Sequence, residues 1–374
     1  MKKTKIDNIL YQVSNSKTLF SKVFIFIIYR IPNMINSLIS YMGGKFKMRR
    51  ELQEVFKILS QKNTYTTFID GFFGMGGSLK ALSDSLLKHG VKKVIVNDIN
   101  PCIINMHKCI RNNRDEMVNY FLETIRKDII IPHAKLHISV EDFLEFKKIL
   151  IQRFYTLQDK REYGVETSTL FIMLSAFNFS GVVTFKKDGI INFSNAIYDH
   201  KDINDLLFNT IKRIDTFSEL YNKFDMEFYN TDYFQLHHRF KGLKNTLWNI
   251  DTVYLKEDYS EYIEEDMKNL TNHGIVGCEC DYSQFDFNHI GVLDTLEDID
   301  FIYNNNTHPI LHHYINKFGL HYKEFIRSES ITGDKDTKVK QVTELILYKN
   351  NFKTQTESHT QKNNTDYQPL RKTA

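Results

Sequence analysis

The chain has 374 residues, of which 42% are hydrophobic and 25% are charged, and its formal net charge is +3. This length suits one large α/β domain with insertions, and the balance is that of an ordinary globular protein. The charge excess is too small to indicate a nucleic-acid partner by itself, although it does not oppose one. The apolar run Val23–Tyr29 ends after about seven residues, far short of the roughly 20 that a membrane span needs, so we predict no membrane partner.

The cysteine pattern indicates neither zinc ligands nor a disulfide framework. The four cysteines are Cys102, Cys109, Cys278 and Cys280, and they form no paired set with zinc-ligand spacing. We therefore predict reduced thiols, no bound metal and an intracellular, cytoplasmic location.

The predicted domain spans residues 34–350, behind an N-terminal extension over residues 1–33. Its first helix is predicted from Arg49 to Gln61, because apolar residues recur there at helical spacing. From Asn350 onward the chain is rich in Gln, Asn, Thr, Ser and Lys, which predicts a disordered tail over residues 351–374.

A βαβ unit follows the first helix. Thr67–Asp70 is predicted to be a short strand, Leu79–His89 a helix closed by Gly90, and Lys93–Val96 a second buried strand. Strand, glycine loop, helix and strand at this spacing predict a parallel sheet.

Residues 101–228 are predicted to be a mainly helical insertion within the same α/β sheet, interrupted by a glycine-punctuated β-rich stretch at 181–194. The predicted helices are Ile103–Arg114, Met117–Lys127, Phe143–Phe154 and Thr167–Phe179. Strands resume afterwards. One predicted strand ends at Phe228–Asp232, and four more are predicted at Thr252–Leu255, Ile275–Cys280, Phe318–Glu324 and Val342–Tyr348.

The loop after the first strand has the composition of a nucleotide-type cofactor site. Gly74 and two further glycines open a helix, where backbone N–H groups are free and glycine permits close approach of a ligand. Asp98 ends the next strand 21 residues after Gly77, about where an acid binds ribose hydroxyls. No Walker lysine follows, which argues against an ATPase loop. Asp70 suits the amino group of S-adenosylmethionine better than a pyrophosphate, while NAD stays a formal alternative.

Five ordered segments resemble the motifs of the Dam-type (D12 class) DNA adenine-N6 methyltransferases. They are Tyr41-Met-Gly-Gly-Lys45, Phe68–Ser78, Asn97-Asp-Ile-Asn-Pro101, Phe177–Gly181 with Gly189–Asn192, and Tyr229–Phe234. The resemblance implies a Rossmann-like α/β methyltransferase sheet with a helical target-recognition insertion. It also implies S-adenosylmethionine as cofactor, double-stranded DNA as partner, and a setting such as phage or restriction–modification.

Site residues are carried over from the resemblance one by one. Tyr41 would pack on the cofactor and Lys45 would approach its carboxylate, while Asp70 and Gly74 would line its methionine portion. Asp98 would hold the ribose. Asp232 would face the adenine.

The catalytic motif of the family, Asp-Pro-Pro-Tyr after an apolar strand, is expected where the predicted strand Thr252–Leu255 ends. The residues that follow that strand are Lys256, Glu257, Asp258 and Tyr259. An ammonium group at Lys256 cannot accept a hydrogen bond from the target amino group, so Glu257 or Asp258 would have to substitute.

The leading functional hypothesis is therefore a DNA adenine-N6 methyltransferase. Two alternatives stay open: a catalytically inactive relative that binds the cofactor or DNA, and a methyltransferase acting on another acceptor.

Overall fold

The computed structural model describes residues 38–39, 45–125, 127, 140–177, 184–185, 191–193, 203–255, 275–276, 286–329 and 340–349. A short 3-10 turn, Lys45–Met48, precedes the first helix. In chain order the elements are α1 Arg49–Ser60, β1 Thr67–Asp70, α2 Gly77–Lys88, β2 Lys93–Asn97, α3 Pro101–Asn112, α4 Arg114–Ile125, α5 Val140–Asp159, α6 Val165–Phe177, β3 Thr184–Phe185, β4 Ile191–Asn192, α7 Ile203–Tyr221, β5 Asp225–Tyr229, α8 Tyr233–Phe240, β6 Thr246–Asp251, β7 Ile275–Val276, β8 Asp286–Phe287, α9 His289–Asp294, β9 Asp300–Asn306, α10 Pro309–Phe318, β10 His321–Glu329 and β11 Lys340–Tyr348.

Seven strands form one mixed sheet in the order β10-β11-β9-β6-β1-β2-β5. The pairs from β5 through β2, β1 and β6 to β9 are all parallel, whereas β11 is antiparallel to both β9 and β10. All four residues of β1 are buried, as expected for a strand covered on both faces by helices. The predicted βαβ unit and its parallel sheet are confirmed.

The sheet has a topological switch point between β1 and β6. From β1 the chain builds outward through β2 to β5, and it then returns to the other side of β1 with β6 and β9. The carboxyl ends of these five parallel strands meet at one edge, where open α/β sheets bind their ligands. In register, Asp70 pairs with Asn249 and Asp251 pairs with Asn304.

The described residues between β2 and β5 are mainly helical, as predicted, and β3 pairs with β4 among them. Helix α6 is buried along most of its length, because it packs against α3, α4, α5 and α7. Helix α7 brings the buried side chains of Phe217 and Tyr221 toward the glycine loop of the sheet.

Two strand predictions are wrong. The strand predicted at Thr252–Leu255 lies earlier, at Thr246–Asp251, where buried Asn249 made the pattern look less apolar than it is. Ile275–Val276, the described part of the predicted strand Ile275–Cys280, pairs antiparallel with β8 outside the main sheet. The strand beside β6 in the sheet is instead β9, Asp300–Asn306. Its last three residues are asparagines, which interrupt the apolar pattern expected of a buried strand.

The last two predicted strands are present as β10 and β11, which pair antiparallel, and β10 begins at His321 because Phe318 ends helix α10. The predicted extension over residues 1–33 and the predicted tail over residues 351–374 lie outside the described residues. Among the helices that the structure describes, none has the length and apolar character to cross a membrane.

Candidate active site

The glycine loop lies between β1 and α2 and adopts a left-handed backbone at two positions. Gly74 has φ of 48° and Gly76 has φ of 71°, values that L-residues rarely adopt. A Cβ atom at Gly76 would lie 3.2 Å from both the Phe73 ring and the Tyr221 hydroxyl. Glycine is therefore required at Gly76 by conformation and by space, and the loop passes closely over the strand edge.

A buried histidine fixes this loop from the helical layer. The His107 Nε2 atom lies 2.7 Å from the carbonyl oxygen of Gly74, and its Nδ1 atom lies 2.8 Å from the Tyr221 hydroxyl. Burial lowers the pKa of His107 to about 4, so the ring is neutral at physiological pH. With one N–H available, Nε2 donates to Gly74 and Nδ1 accepts from Tyr221. Sequence reasoning missed His107, because a histidine on a helix carries no local signal for this contact.

Asp98 follows β2 and contacts the same loop. Its Oδ2 atom accepts a hydrogen bond from the Gly74 N–H at 3.0 Å, and its Oδ1 atom accepts one from the Asn100 N–H at 2.8 Å. Burial raises the pKa of Asp98 to about 6, although these two N–H groups oppose the shift. Asp98, the residue predicted to bind the ribose, therefore also joins the glycine loop to the end of β2.

Asp70, the last residue of β1, is buried at the switch point. Burial raises the pKa of its carboxyl from 3.8 to about 8, the nearby polar side chain of Asn249 opposes the shift, and the nearby charge of Asp251 adds to it. Within the described part of the chain, the Asp70 Oδ1 atom has no hydrogen-bond partner. A buried acceptor without a partner is costly, and a bound cationic group would remove that cost.

Two large apolar side chains are exposed just after the ends of β2 and β5. Ile99 is 70% exposed and Phe234 is 37% exposed, both unusual for side chains of this size. Asn230 donates to the carbonyl oxygens of Asp98 and Ile99 at 2.8 and 2.9 Å, which joins the two strand ends. Asp232 lies in the same loop, is exposed, and caps α8 by accepting from the Phe234 N–H at 2.8 Å.

Lys45 is buried, and it contacts the last residue of β6 and a residue in the middle of β11. Its Nζ atom lies 3.0 Å from Asp251, 2.9 Å from Glu344 and 2.7 Å from the Tyr254 hydroxyl. The Tyr254 hydroxyl in turn donates to Glu344 at 2.8 Å. We call these four residues the lysine cluster.

The charge of the lysine cluster follows from its geometry. Burial lowers the pKa of Lys45, but the two carboxylates and the phenol outweigh that effect and raise its pKa above the ordinary value. Three acceptors match the three N–H donors of an ammonium group. Asp251 and Tyr254 form an acid-x-x-Tyr sequence directly at the end of β6, a signal that the misplaced strand concealed.

The predicted site residues fall into three groups. Asp70, Gly74 and Asp98 converge around the glycine loop, with Asp232 at the end of the adjacent strand β5. Lys45 is separate from that group and contacts Asp251. Tyr41 and the predicted catalytic residues, Lys256, Glu257, Asp258 and Tyr259, lie outside the described residues.

The chain matches a known protein family over most of the residues that form this site. The family of the D12 class N6 adenine-specific DNA methyltransferases matches residues 41–259, more than half of the chain. That range includes the glycine loop, the helical insertion and the end of β6. No curated protein matches the chain. With its seven-stranded sheet and the residues at the switch point, the chain belongs to the D12 class N6 adenine-specific DNA methyltransferase family.

Proposed function

We propose that the protein transfers a methyl group from S-adenosylmethionine to the N6 atom of adenine in DNA, with Asp251 as the acid of its catalytic motif. The observation that carries the proposal is the position of Asp251. It ends β6, the strand next to β1 and its glycine loop, and Tyr254 follows three residues later. The family resemblance requires an acid and a tyrosine with this spacing at this strand end.

The residues at the switch point fit S-adenosylmethionine. Asp70 offers a buried, unpartnered acceptor oxygen among the described residues, which suits the amino group of the cofactor. Asp98 suits the ribose hydroxyls, and exposed Ile99 and Phe234 offer apolar faces for the adenine. When bound, the cofactor supplies a methyl group on a sulfonium, which is attacked in line by the target nitrogen.

Asp251 has the chemistry for the target amino group. A carboxylate accepts a hydrogen bond from that amino group, which draws electron density onto the nitrogen as it attacks. Its side chain is 18% exposed, so part of it reaches the strand edge, while Lys45 contacts Oδ1. The buried ammonium group of Lys45 favours the ionised form of the acid.

This arrangement gives Lys45 a role other than the one expected. Lys45 would orient the carboxylate of Asp251 and favour its ionised form, instead of contacting the cofactor carboxylate. The Tyr254 ring lies 4.6 Å from the Lys45 Nζ atom, and we assign it to stacking on the target base. That base must leave the duplex to reach the site, so double-stranded DNA is the proposed substrate.

The test pairs cofactor binding with methyl transfer. Calorimetry should detect stoichiometric binding of S-adenosylmethionine, and DNA incubated with tritiated cofactor should acquire label as N6-methyladenine. Absence of cofactor binding would contradict the whole proposal. Binding without transfer to DNA would support the inactive relative, and label on another acceptor would support a different methyltransferase.

A further inference from the structure

The segment Thr252–Leu255 connects the proposed catalytic acid to the rest of the site without being a strand. With Asp251 as the acid of the motif, the two prolines of the family would fall at Thr252 and Val253, and neither residue restricts the backbone as proline does. The rate of a positioned reaction falls steeply when groups shift by about 1 Å. Something other than proline must hold this segment, and the structure shows what does.

Asn306 holds Leu255, the last residue of this segment, through both the nitrogen and the oxygen of its side-chain amide. Its Nδ2 atom donates to the Leu255 carbonyl oxygen at 2.7 Å, and its Oδ1 atom accepts from the Leu255 N–H at 2.9 Å. One side chain thus satisfies both backbone groups of a buried residue, as a neighbouring strand would.

Asn305 binds the middle of the segment and is fully buried. Its Nδ2 atom lies 2.8 Å from the Thr252 hydroxyl and 3.0 Å from the Val253 carbonyl oxygen. Its Oδ1 atom accepts from the Leu255 N–H at 3.0 Å. Burying an amide is costly unless it is hydrogen-bonded, so these contacts account for a polar residue at the end of a core strand.

The strand register explains why these two asparagines reach the segment. Strands β6 and β9 are parallel, and Asp251 pairs with Asn304 at the last aligned position. Asn305 and Asn306 therefore continue along β9 beside the residues that follow Asp251. Tyr254 is fixed separately through its hydroxyl, which contacts both Lys45 and Glu344.

We propose that Asn305 and Asn306 are positioning residues that replace the missing prolines and hold Asp251 and Tyr254 in their working geometry. This inference rests on the proposed function of Asp251. It assigns a role to a strand that lies beyond the residues matched by the family, 41–259.

The test uses removal and rescue. Asn306→Ala should lower kcat for DNA methylation roughly 10- to 100-fold while changing KM for DNA and cofactor less than about twofold. Asn305→Leu should act in the same direction. Asn222→Ala, at an exposed asparagine beyond α7, is the matched control and should leave both constants unchanged.

The rescue variant restores the prolines. Thr252→Pro with Val253→Pro, placed in the Asn306→Ala protein, should return kcat to within about threefold of the wild type. Asp251 is extended, the conformation that a residue before proline favours. A thermal melt first establishes that each variant folds. Failure of a folded rescue variant to regain kcat would overturn the inference.

Amide hydrogen exchange separates this inference from the proposed function. The Leu255 N–H donates to both asparagines, so its amide should exchange at least about tenfold faster in the folded double variant Asn305→Leu with Asn306→Ala than in the wild type, whether or not the protein methylates DNA. Unchanged exchange would overturn the role of the asparagines. A wild type that transfers no methyl group would contradict the proposed function, while the exchange result would still decide what holds the segment.

Discussion

At the scale of single residues, the site brings buried charges together, and each has an identifiable consequence. Lys45 and Glu344 are each 2% exposed at the lysine cluster, so their charges depend on one another. Asp70 has no such cation among the described residues. Burial raises the pKa of its carboxyl to about 8, so the group is protonated at neutral pH. One acid is thus held charged by its neighbour, whereas the other is held ready for a cationic ligand.

Removing the Lys45 ammonium should destabilise the fold. Lys45→Met would leave the buried carboxylate of Glu344 and the half-buried carboxylate of Asp251 without their cation, a change that costs about 3–5 kcal/mol. Urea unfolding measures this cost, and Lys47→Met, at an exposed lysine two residues away, is the control. A loss of less than about 1 kcal/mol would show that the cluster does not depend on the Lys45 charge.

Asp70 should make the stability of the cofactor-free protein depend on pH. Its folded pKa is raised from 3.8 to about 8, so the fold favours the protonated form. That contribution is fully present below pH 3.8 and is lost as the pH rises through about 8. Asp70→Asn carries no charge and should therefore have a higher Tm than the wild type at about pH 9, with the difference shrinking toward about pH 5.

Calorimetric melts without cofactor at several pH values would measure this difference. The same variant should bind S-adenosylmethionine much more weakly, because an amide does not pair with an amino group as a carboxylate does. A Tm difference that stays constant with pH would contradict the buried, protonated state of Asp70.

At the scale of elements, the glycine loop is held from two sides. Asp98 accepts from the Gly74 N–H, and His107 contacts the Gly74 carbonyl oxygen, so strand β2 and helix α3 fix one residue together. The loop is therefore shaped before any ligand binds, which reduces the ordering cost of binding.

Substitution of Asp98 should remove cofactor binding. Asp98→Ala loses both the proposed ribose contact and the hydrogen bond to Gly74, so calorimetry should show no measurable affinity for S-adenosylmethionine. Asp84→Ala, whose carboxylate is 72% exposed on α2, should bind like the wild type. An unchanged affinity in Asp98→Ala would refute the ribose assignment.

The elements also show what sequence patterns reveal and what they conceal. The strand Thr67–Asp70 was predicted at its true bounds, because its residues are buried and followed by glycines that need a left-handed backbone. The strands β6 and β9 were misplaced or missed, because Asn249, Asn304 and Asn305 are buried polar residues within them. Their partners lie across the sheet, and no local pattern encodes such contacts.

At the scale of the whole molecule, the sheet order determines which parts of the site could be predicted. The proposed cofactor residues from Asp70 to Asp98 lie close in sequence, so their spacing alone predicts a site. The lysine cluster joins the start of the domain to its last strand, from Lys45 to Glu344, and only the fold brings these residues together. The proposed catalytic acid, Asp251, differs from the position predicted from the sequence for the same reason, because that prediction depended on where β6 ends.

The measurement that tests this account most directly is the rate of tritium transfer from S-adenosylmethionine to adenine in DNA, compared between two variants. We predict that Asp251→Ala lowers the rate about 100-fold or more, whereas Asp258→Ala, at a residue first assigned to catalysis, stays near the wild-type rate. Active transfer by Asp251→Ala together with its loss in Asp258→Ala would contradict the placement of the catalytic acid at the end of β6.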